Sequence, residues 1–130
     1  VGPSGAGNVA KLVNNLLAAA HMVTTGEGLK LALAAGLDAE EALKVLNAAS
    51  GKSMISEVHF PTWVMNGRFD SGFTMGLMRK DVRLASELAA RTGAELPLAS
   101  AVAMLWAESP LDNAEDFTRM GAFRPVANDN

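Results

Sequence analysis

The chain contains no cysteine among its 130 residues. This absence excludes disulfide bonds and thiolate metal sites, and it makes a reducing compartment, with the cytoplasm as the default, the expected location. The chain also has no large excess of charge of either sign. Charged residues make up 19% of it, and the formal net charge is only -3. This composition indicates neither a disordered chain nor a surface for nucleic acid.

Histidine and long apolar runs are the next scarce features. The only histidines are His21 and His59, and no carboxylate stands at ligand spacing from either, so no metal site is expected. The most apolar stretch, residues 6–35, is interrupted by Lys11, Glu27 and Lys30 before eighteen apolar residues accumulate. Neither a membrane span nor any other membrane association is therefore expected.

What the chain does have is helical periodicity. Hydrophobic residues make up 49% of the sequence, and its length suits one domain, residues 1–130, with one core. Apolar residues are spread so evenly from about Ala6 to Ala35 that we predict one long helix, buried on nearly all sides. No convincing strand or internal repeat follows it. The predicted fold is therefore an all-α helical bundle around one long N-terminal helix.

Cap and turn signals place the remaining helices. Gly36 is predicted to end the first helix, Asp38 and Glu41 form a capping-box pattern for the second, and Pro97 suits a first helical position. Asp112 or Asn113 is expected to cap the last helix, and a polar tail to begin at Gly121. The predicted later helices cover approximately residues 38–48, 52–58, 74–92, 97–108 and 114–120.

A lysine and two asparagines interrupt the apolar start of the first helix. Lys11, Asn14 and Asn15 lie three and four positions apart and therefore share one face. In one interpretation the lysine reaches water while the asparagines bond to backbone groups. In the other, Lys11 is a partly buried general acid or base and Asn15 holds the reacting oxygen beside it. Spacing alone leaves both interpretations open.

The same segment, GPSGAGNVAKLVNN, resembles the start of the C-terminal domain of the β-hydroxyacid dehydrogenases. That family includes 3-hydroxyisobutyrate dehydrogenase, tartronate semialdehyde reductase and, more distantly, 6-phosphogluconate dehydrogenase. The resemblance covers roughly residues 2–108, and its motifs occur in order at matching intervals. They are Lys11-x-x-x-Asn15, Glu27-Gly28-Leu29, Gly36-Leu37-Asp38, Ala49 to Ser53, Phe73 before Lys80-Asp81, and Gly93 to Pro97.

The resemblance implies an NAD(P)-dependent oxidoreductase acting on a small β-hydroxyacid, and the matching positions in the family imply roles for individual residues. Lys11 would be the catalytic proton donor and acceptor, and a homodimer would form through this domain. The other implied site residues are Asn15, Asn14, Phe73 and Asp81 at the substrate, and Lys80 at the cofactor. Without the resemblance, Phe73 is as easily a core aromatic, and Lys80-Asp81 a solvated helix surface.

The string Gly5-x-Gly7-x-x-Ala10 also satisfies a dinucleotide-binding fingerprint, but the fingerprint works only between a strand and a helix. We therefore expect NAD or NADP to be bound mainly by an N-terminal Rossmann domain that these residues do not supply. The isolated chain is then expected to be inactive. The alternative is a helical dimerisation or interaction module in which Lys11 has no catalytic duty.

Overall fold

The computed structural model describes residues 3–125 and, within them, leaves the side chains of Pro3, Ser4 and Ala6 undescribed. The described part consists of helices joined by turns and loops, and its only strand-like pairing is one isolated bridge between Thr74 and Asp116. The all-α prediction is confirmed. The elements are α1 (Pro3–Ala34), α2 (Ala39–Asn47), a π-helix (Ile55–Val64), α3 (Met75–Thr92), α4 (Pro97–Glu108) and a 3-10 helix (Phe117–Gly121).

Helix α1 is the axis of the bundle, and it contacts each of the other five elements. Its buried side chains lie mainly between Ala19 and Leu29, and the Trp106 indole of α4 donates a hydrogen bond of 3.2 Å to the Ala19 carbonyl. The prediction that α1 is buried on nearly all sides is wrong for its first turns. Leu12 is buried there, but Val9, Val13 and Leu17, on a side of the helix that no element of the described part covers, are exposed by 41, 49 and 52%.

The turn after α1 forms as predicted, but the cap of α2 does not. Gly36 adopts a φ of 87°, the left-handed conformation that favours glycine at a helix end. Asp38 occupies the N-cap position of α2, yet its side chain makes no capping hydrogen bond. The capping-box prediction is therefore wrong.

The segment after α2 departs most from prediction. We predicted a helix at 52–58 followed by an irregular connection, whereas a π-helix runs from Ile55 to Val64 and contains Pro61. Proline has no N–H to donate, so the carbonyl five positions earlier, that of Ser56, loses its π-helical partner. The Asn47 side-chain amide supplies the missing donor at 3.0 Å. The helix therefore continues through a residue that normally ends one.

Helices α3 and α4 match their predicted bounds. The Thr74 hydroxyl caps α3 by accepting from the Leu77 N–H at 3.2 Å, and Gly93, with a φ of 74°, ends it. The Arg79 guanidinium then joins α3 to the end of α4. It donates to the carbonyls of Trp106, Ser109 and Leu111, each at 2.8 Å.

The last element starts later than predicted. Asp116, and neither Asp112 nor Asn113, caps the 3-10 helix by accepting from the Thr118 N–H at 3.1 Å. The predicted polar tail is also wrong where it is described, because Phe123 is buried against the core; residues 126–130 lie outside the described part. Within residues 3–125, no helix has both the length and the hydropathy needed to cross a bilayer.

Candidate functional site

Lys11, Asn14 and Asn15 of α1 face Asp81 of α3. The Asn15 amide donates a hydrogen bond of 2.6 Å to Asp81 Oδ2, and the Asn14 amide donates to Asn15 Oδ1 at 3.3 Å. The Lys11 ammonium lies 4.0 Å from Asp81 Oδ1. The structure thus brings together four of the six predicted site residues, although they are far apart in sequence.

The charges in this cluster differ sharply in exposure. The Asp81 side chain is only 8% exposed, whereas that of Lys11 is 63% exposed. Of the two interpretations that the sequence leaves open, the one in which Lys11 reaches water describes these residues, since nothing in the described part covers its ammonium. Asp81 faces Lys11, because the guanidinium of Arg79 is engaged by the end of α4.

A groove of about 520 Å³ opens beside the cluster, a size that suits a small-molecule ligand. Asn14 and Asn15 of α1 line one wall, and Phe73, just before α3, lines another. Lys11, Asp81 and Lys80 are not among the lining residues, and Lys80 lies on the exposed face of α3. The predicted substrate residues thus divide between the groove and its edge.

Sequence reasoning missed the aromatic wall of the groove. His59 and Trp63 of the π-helix and Phe117 of the 3-10 helix all line it. The His59 ring centroid lies 5.3 Å from that of Trp63 and 5.7 Å from that of Phe117. The irregular connection predicted for residues 59–73 hid these contacts, because neither a helical register there nor the approach of Phe117 can be read from spacing.

Burial lowers the pKa of His59; the backbone of Met54 and the charge of Asp116 oppose this shift without cancelling it. The imidazole is therefore neutral around pH 7. Its Nδ1 atom is buried and makes no hydrogen bond of normal geometry in the described part, although the Met54 backbone acts as an acceptor that favours the protonated ring. Within residues 3–125, no other buried side-chain nitrogen or oxygen is unpaired.

Asp116 fixes the loop that carries Ser71 and Phe73 to the groove. Its carboxylate accepts from the Ser71 hydroxyl and the Gly72 N–H, both at 2.9 Å, and from the N–H and hydroxyl of Thr118. Burial acts to raise the pKa of Asp116, but these four donors outweigh it and the net pKa is lowered. Asp116 is therefore a charged clamp between the loop and the 3-10 helix.

Comparison with known protein families shows to which family the chain belongs. Residues 5–122 match the family model described as NAD-binding of NADP-dependent 3-hydroxyisobutyrate dehydrogenase. The chain belongs to this family. The family resemblance predicted from the sequence is confirmed, and with it an oxidoreductase family of hydroxyacid dehydrogenases whose cofactor is NAD or NADP.

Two relatives illustrate the match to most of the chain. The 2-(hydroxymethyl)glutarate dehydrogenase of Eubacterium barkeri is 37% identical over 98 residues, covering 75% of this chain and 33% of that protein. The NAD-dependent L-serine dehydrogenase of Pseudomonas aeruginosa is 37% identical over 112 residues, covering 81% and 37% respectively.

The fold agrees with the sequence matches. A Mycobacterium tuberculosis 3-hydroxyisobutyrate dehydrogenase structure with L-serine superposes with a TM-score of 0.78 at 32% identity, covering 86% of this chain and 41% of that one. The chain thus spans between a third and about two-fifths of the length of these relatives.

The described residues fit only part of a dinucleotide cofactor. Gly5 and Gly7 lie inside α1, so they form no strand-to-helix phosphate turn. The groove is of a size for a small molecule and not for a whole dinucleotide. Beside it, the exposed Lys11 ammonium lies 4.0 Å from Asp81, and the exposed Lys80 precedes Asp81 in the sequence. Residues 3–125 also contain no cluster of three acidic or histidine side chains able to hold a metal ion.

Proposed function

We propose that this chain is the C-terminal, substrate-binding domain of an NAD(P)-dependent dehydrogenase of a small β-hydroxyacid, and that Lys11 transfers the proton. One observation carries the proposal: Lys11 and Asn15 of α1 converge on the buried Asp81 at the edge of a groove of suitable size. A lysine, an amide and a carboxylate in contact are a sufficient set for general acid–base chemistry on a hydroxyl.

In this proposal Lys11 takes the proton of the substrate hydroxyl during oxidation and returns it during reduction. Asp81, 4.0 Å from the ammonium, attracts the protonated lysine and limits where it can move. The Asn15 amide donates to Asp81 and lines the groove, so it holds both the carboxylate and the substrate oxygen. The bound nicotinamide supplies or accepts the hydride.

The dinucleotide is proposed to be held mainly by a Rossmann domain outside these residues, with Lys80 contributing a charge contact. The 63% exposure of Lys11 supports this arrangement, since a catalytic ammonium works better where water is excluded. A second domain over the start of α1 would provide that cover. The 130 residues alone are then expected to lack activity.

We also propose that the domain forms a homodimer in the cytoplasm. The exposed apolar side chains Val9, Val13 and Leu17 follow each other at four-residue intervals on α1. Such a stripe is costly in water and favours association with a second copy or another domain. Sedimentation at micromolar concentrations should detect a dimer; a purely monomeric profile would contradict this part.

The experiment that tests catalysis begins with the intact mass of the natural gene product. A mass well above that of 130 residues supports a second domain, whereas the mass of these residues alone favours the interaction-module alternative. In the natural product, Lys11→Ala should lower kcat by about two to four powers of ten, the usual scale of general acid–base catalysis. Lys44→Ala, at another exposed helix lysine, is the matched control. Retention of more than about a tenth of kcat by Lys11→Ala would exclude the assignment.

A further inference from the structure

One side chain of α2 holds the π-helix that forms a wall of the groove. The Asn47 amide donates to the Ser56 carbonyl at 3.0 Å, and Asn47 Oδ1 accepts from the Ser56 hydroxyl at 2.6 Å. Ser56 is fully buried and Asn47 is half-buried. Both polar atoms of the asparagine side chain are therefore engaged by a single residue of the π-helix.

Pro61 explains why the Ser56 carbonyl needs a donor from outside the helix. In a π-helix each N–H donates to the carbonyl five positions earlier, and proline has no N–H to donate. In an α-helical register the Pro61 ring would instead meet the carbonyl of Glu57, four positions earlier, which kinks or breaks a helix. Asn47 thus supplies the hydrogen bond that the π register loses at Pro61. Because Ser56 is shut off from solvent, water cannot readily take its place.

The register of this helix decides which of its side chains reach the groove. Ile55 and Trp63 line the groove, whereas Phe60 and Val64 of the same helix are buried in the core. An α-helical turn contains fewer residues than a π-helical turn. A change of register would therefore rotate the end of the helix that carries Trp63 relative to the end that carries Ile55.

The same network extends to the residues just before the π-helix. The Ser53 N–H donates to Ser56 Oγ at 2.9 Å, and the Ser56 N–H donates to Ser53 Oγ at 3.1 Å. Ser53 also lines the groove. Asn47 therefore acts, through Ser56, on both the start and the register of this wall.

We propose that Asn47 is a positioning residue for the substrate groove. By satisfying the carbonyl that Pro61 leaves without a partner, it fixes the π-helical register and the wall that carries Trp63, although Asn47 itself is not a groove residue. This inference rests on the proposed function, because it places the substrate in this groove. Lys11 and its partner Asp81 belong to α1 and α3, so the proton-transfer group does not depend on Asn47.

The kinetic test uses the natural gene product and whichever of 3-hydroxy-2-methylpropanoate and L-serine it oxidises faster. Asn47→Ala should raise the KM for this acid about tenfold, with kcat changed less than about twofold and the KM for NAD(P) unchanged. Asn47→Asp keeps the acceptor for the Ser56 hydroxyl and removes only the donor, so it should give the same increase. An unchanged KM for the acid in both variants would overturn the proposal.

Asn66 offers a matched control at the other end of the π-helix. Its amide donates to the Thr62 carbonyl at 2.8 Å, but this bond is exposed, so water can replace the amide. Asn66→Ala should therefore leave all three kinetic constants unchanged. An increase in the KM for the acid equal to that of Asn47→Ala would overturn the special role of Asn47.

Pro61→Ala separates positioning from general destabilisation. This substitution gives position 61 an N–H that can donate to the Ser56 carbonyl, so the Asn47 amide is no longer required. Asn47→Ala should therefore raise the KM for the acid about tenfold beside Pro61, and about twofold or less in the Pro61→Ala background. The same increase in both backgrounds would overturn the proposal, because an asparagine that only contributes packing would lose the same contacts in each.

A spectroscopic measurement separates this inference from the proposed function. The chain has two tryptophans, and the indole N–H resonance of Trp63 reports the groove wall while that of Trp106, in the core, serves as the reference. Asn47→Ala should move the Trp63 resonance, and adding Pro61→Ala should return it towards its wild-type position.

An unmoved Trp63 resonance would reject this inference even where Lys11→Ala abolishes turnover and so keeps the proposed function. A moved Trp63 resonance with unchanged turnover in Lys11→Ala would do the reverse. Unfolding midpoints confirm that each variant is folded.

Discussion

Asn15 of α1 donates a 2.6 Å hydrogen bond to Asp81 of α3, across 66 residues of sequence. This bond ties the first helix to the third at the place where Lys11 also approaches. The buried acceptor is a carboxylate with only 8% exposure, so its loss would leave the Asn15 donor without a strong partner. One bond therefore serves both the packing of the bundle and the geometry of the candidate site.

We predict that Asp81→Ala lowers the free energy of unfolding by about 1–3 kcal/mol, because the Asn15 amide then faces an empty, largely buried position. Asp81→Asn should cost less, since an amide oxygen can still accept from Asn15. Urea denaturation measures both, and Asp70→Ala on the surface is the control. Equal destabilisation by the two Asp81 variants would show that the charge, and not the hydrogen bond, carries the stability.

A second prediction concerns two glycines of α1, Gly26 and Gly28. A Cβ atom added at Gly26 would lie 2.8 Å from the Gly121 carbonyl oxygen, whereas one added at Gly28 would meet nothing within 4 Å. Gly26→Ala should therefore lower the free energy of unfolding by about 1–3 kcal/mol, because backbone must move. Gly28→Ala should raise it by up to about 1 kcal/mol through helix propensity. Thermal or urea unfolding that shifts in the same direction for both variants would contradict this account.

These glycines show where sequence reasoning ends. Gly36, Gly93 and Pro97 carry local signals, and the helix ends they predict are where the structure has them. Gly26 and Gly28 are indistinguishable by local rules, because only the approach of the 3-10 helix separates them. The π-helix was missed for a related reason. Pro61 predicts a break, and the Asn47 amide that satisfies the Ser56 carbonyl comes from another helix.

The candidate site divides in the same way. Lys11, Asn14 and Asn15 could be found because helical spacing places them on one face, and the family motif supplied Phe73, Lys80 and Asp81. The aromatic wall with His59 could not be found, since its partners Trp63 and Phe117 meet only through tertiary packing. The exposure of Lys11 was one of two interpretations that spacing left open, because periodicity cannot tell which turns of an apolar helix are covered.

A third prediction tests the cofactor contact proposed for Lys80. In the natural gene product, Lys80→Ala should raise the KM for NAD(P) several-fold with little change in kcat. An exposed ammonium that contacts the cofactor stabilises the bound ground state and the transition state equally. The effect should shrink at high salt, which screens exposed charges. Arg83→Ala, at an exposed position three residues on, is the control. An unchanged KM for the cofactor would remove Lys80 from the site.

The last prediction concerns Asp116 and pH. The pKa of Asp116 in the folded protein lies below the unfolded value of 3.8. Ionisation of this carboxyl therefore stabilises the folded protein relative to the unfolded chain. The resulting stability is fully present above the unfolded pKa and is lost as the pH falls through the lower folded pKa. Asp116→Asn, which removes the charge that four donors surround, should cost about 2 kcal/mol at pH 7.

The measurement is the free energy of unfolding of wild type and Asp116→Asn at pH 7 and at about pH 3. The difference between the two proteins should shrink at the lower pH, because protonation of Asp116 in the wild type removes the same charge. Asp112→Asn is the matched control, since its side-chain oxygen can still accept from the Ala114 N–H, 3.0 Å away in the wild type. A difference that stays constant between the two pH values would mean that Asp116 stabilises the loop through shape alone. The Ser71 and Phe73 wall of the groove would then depend on packing and not on the carboxylate.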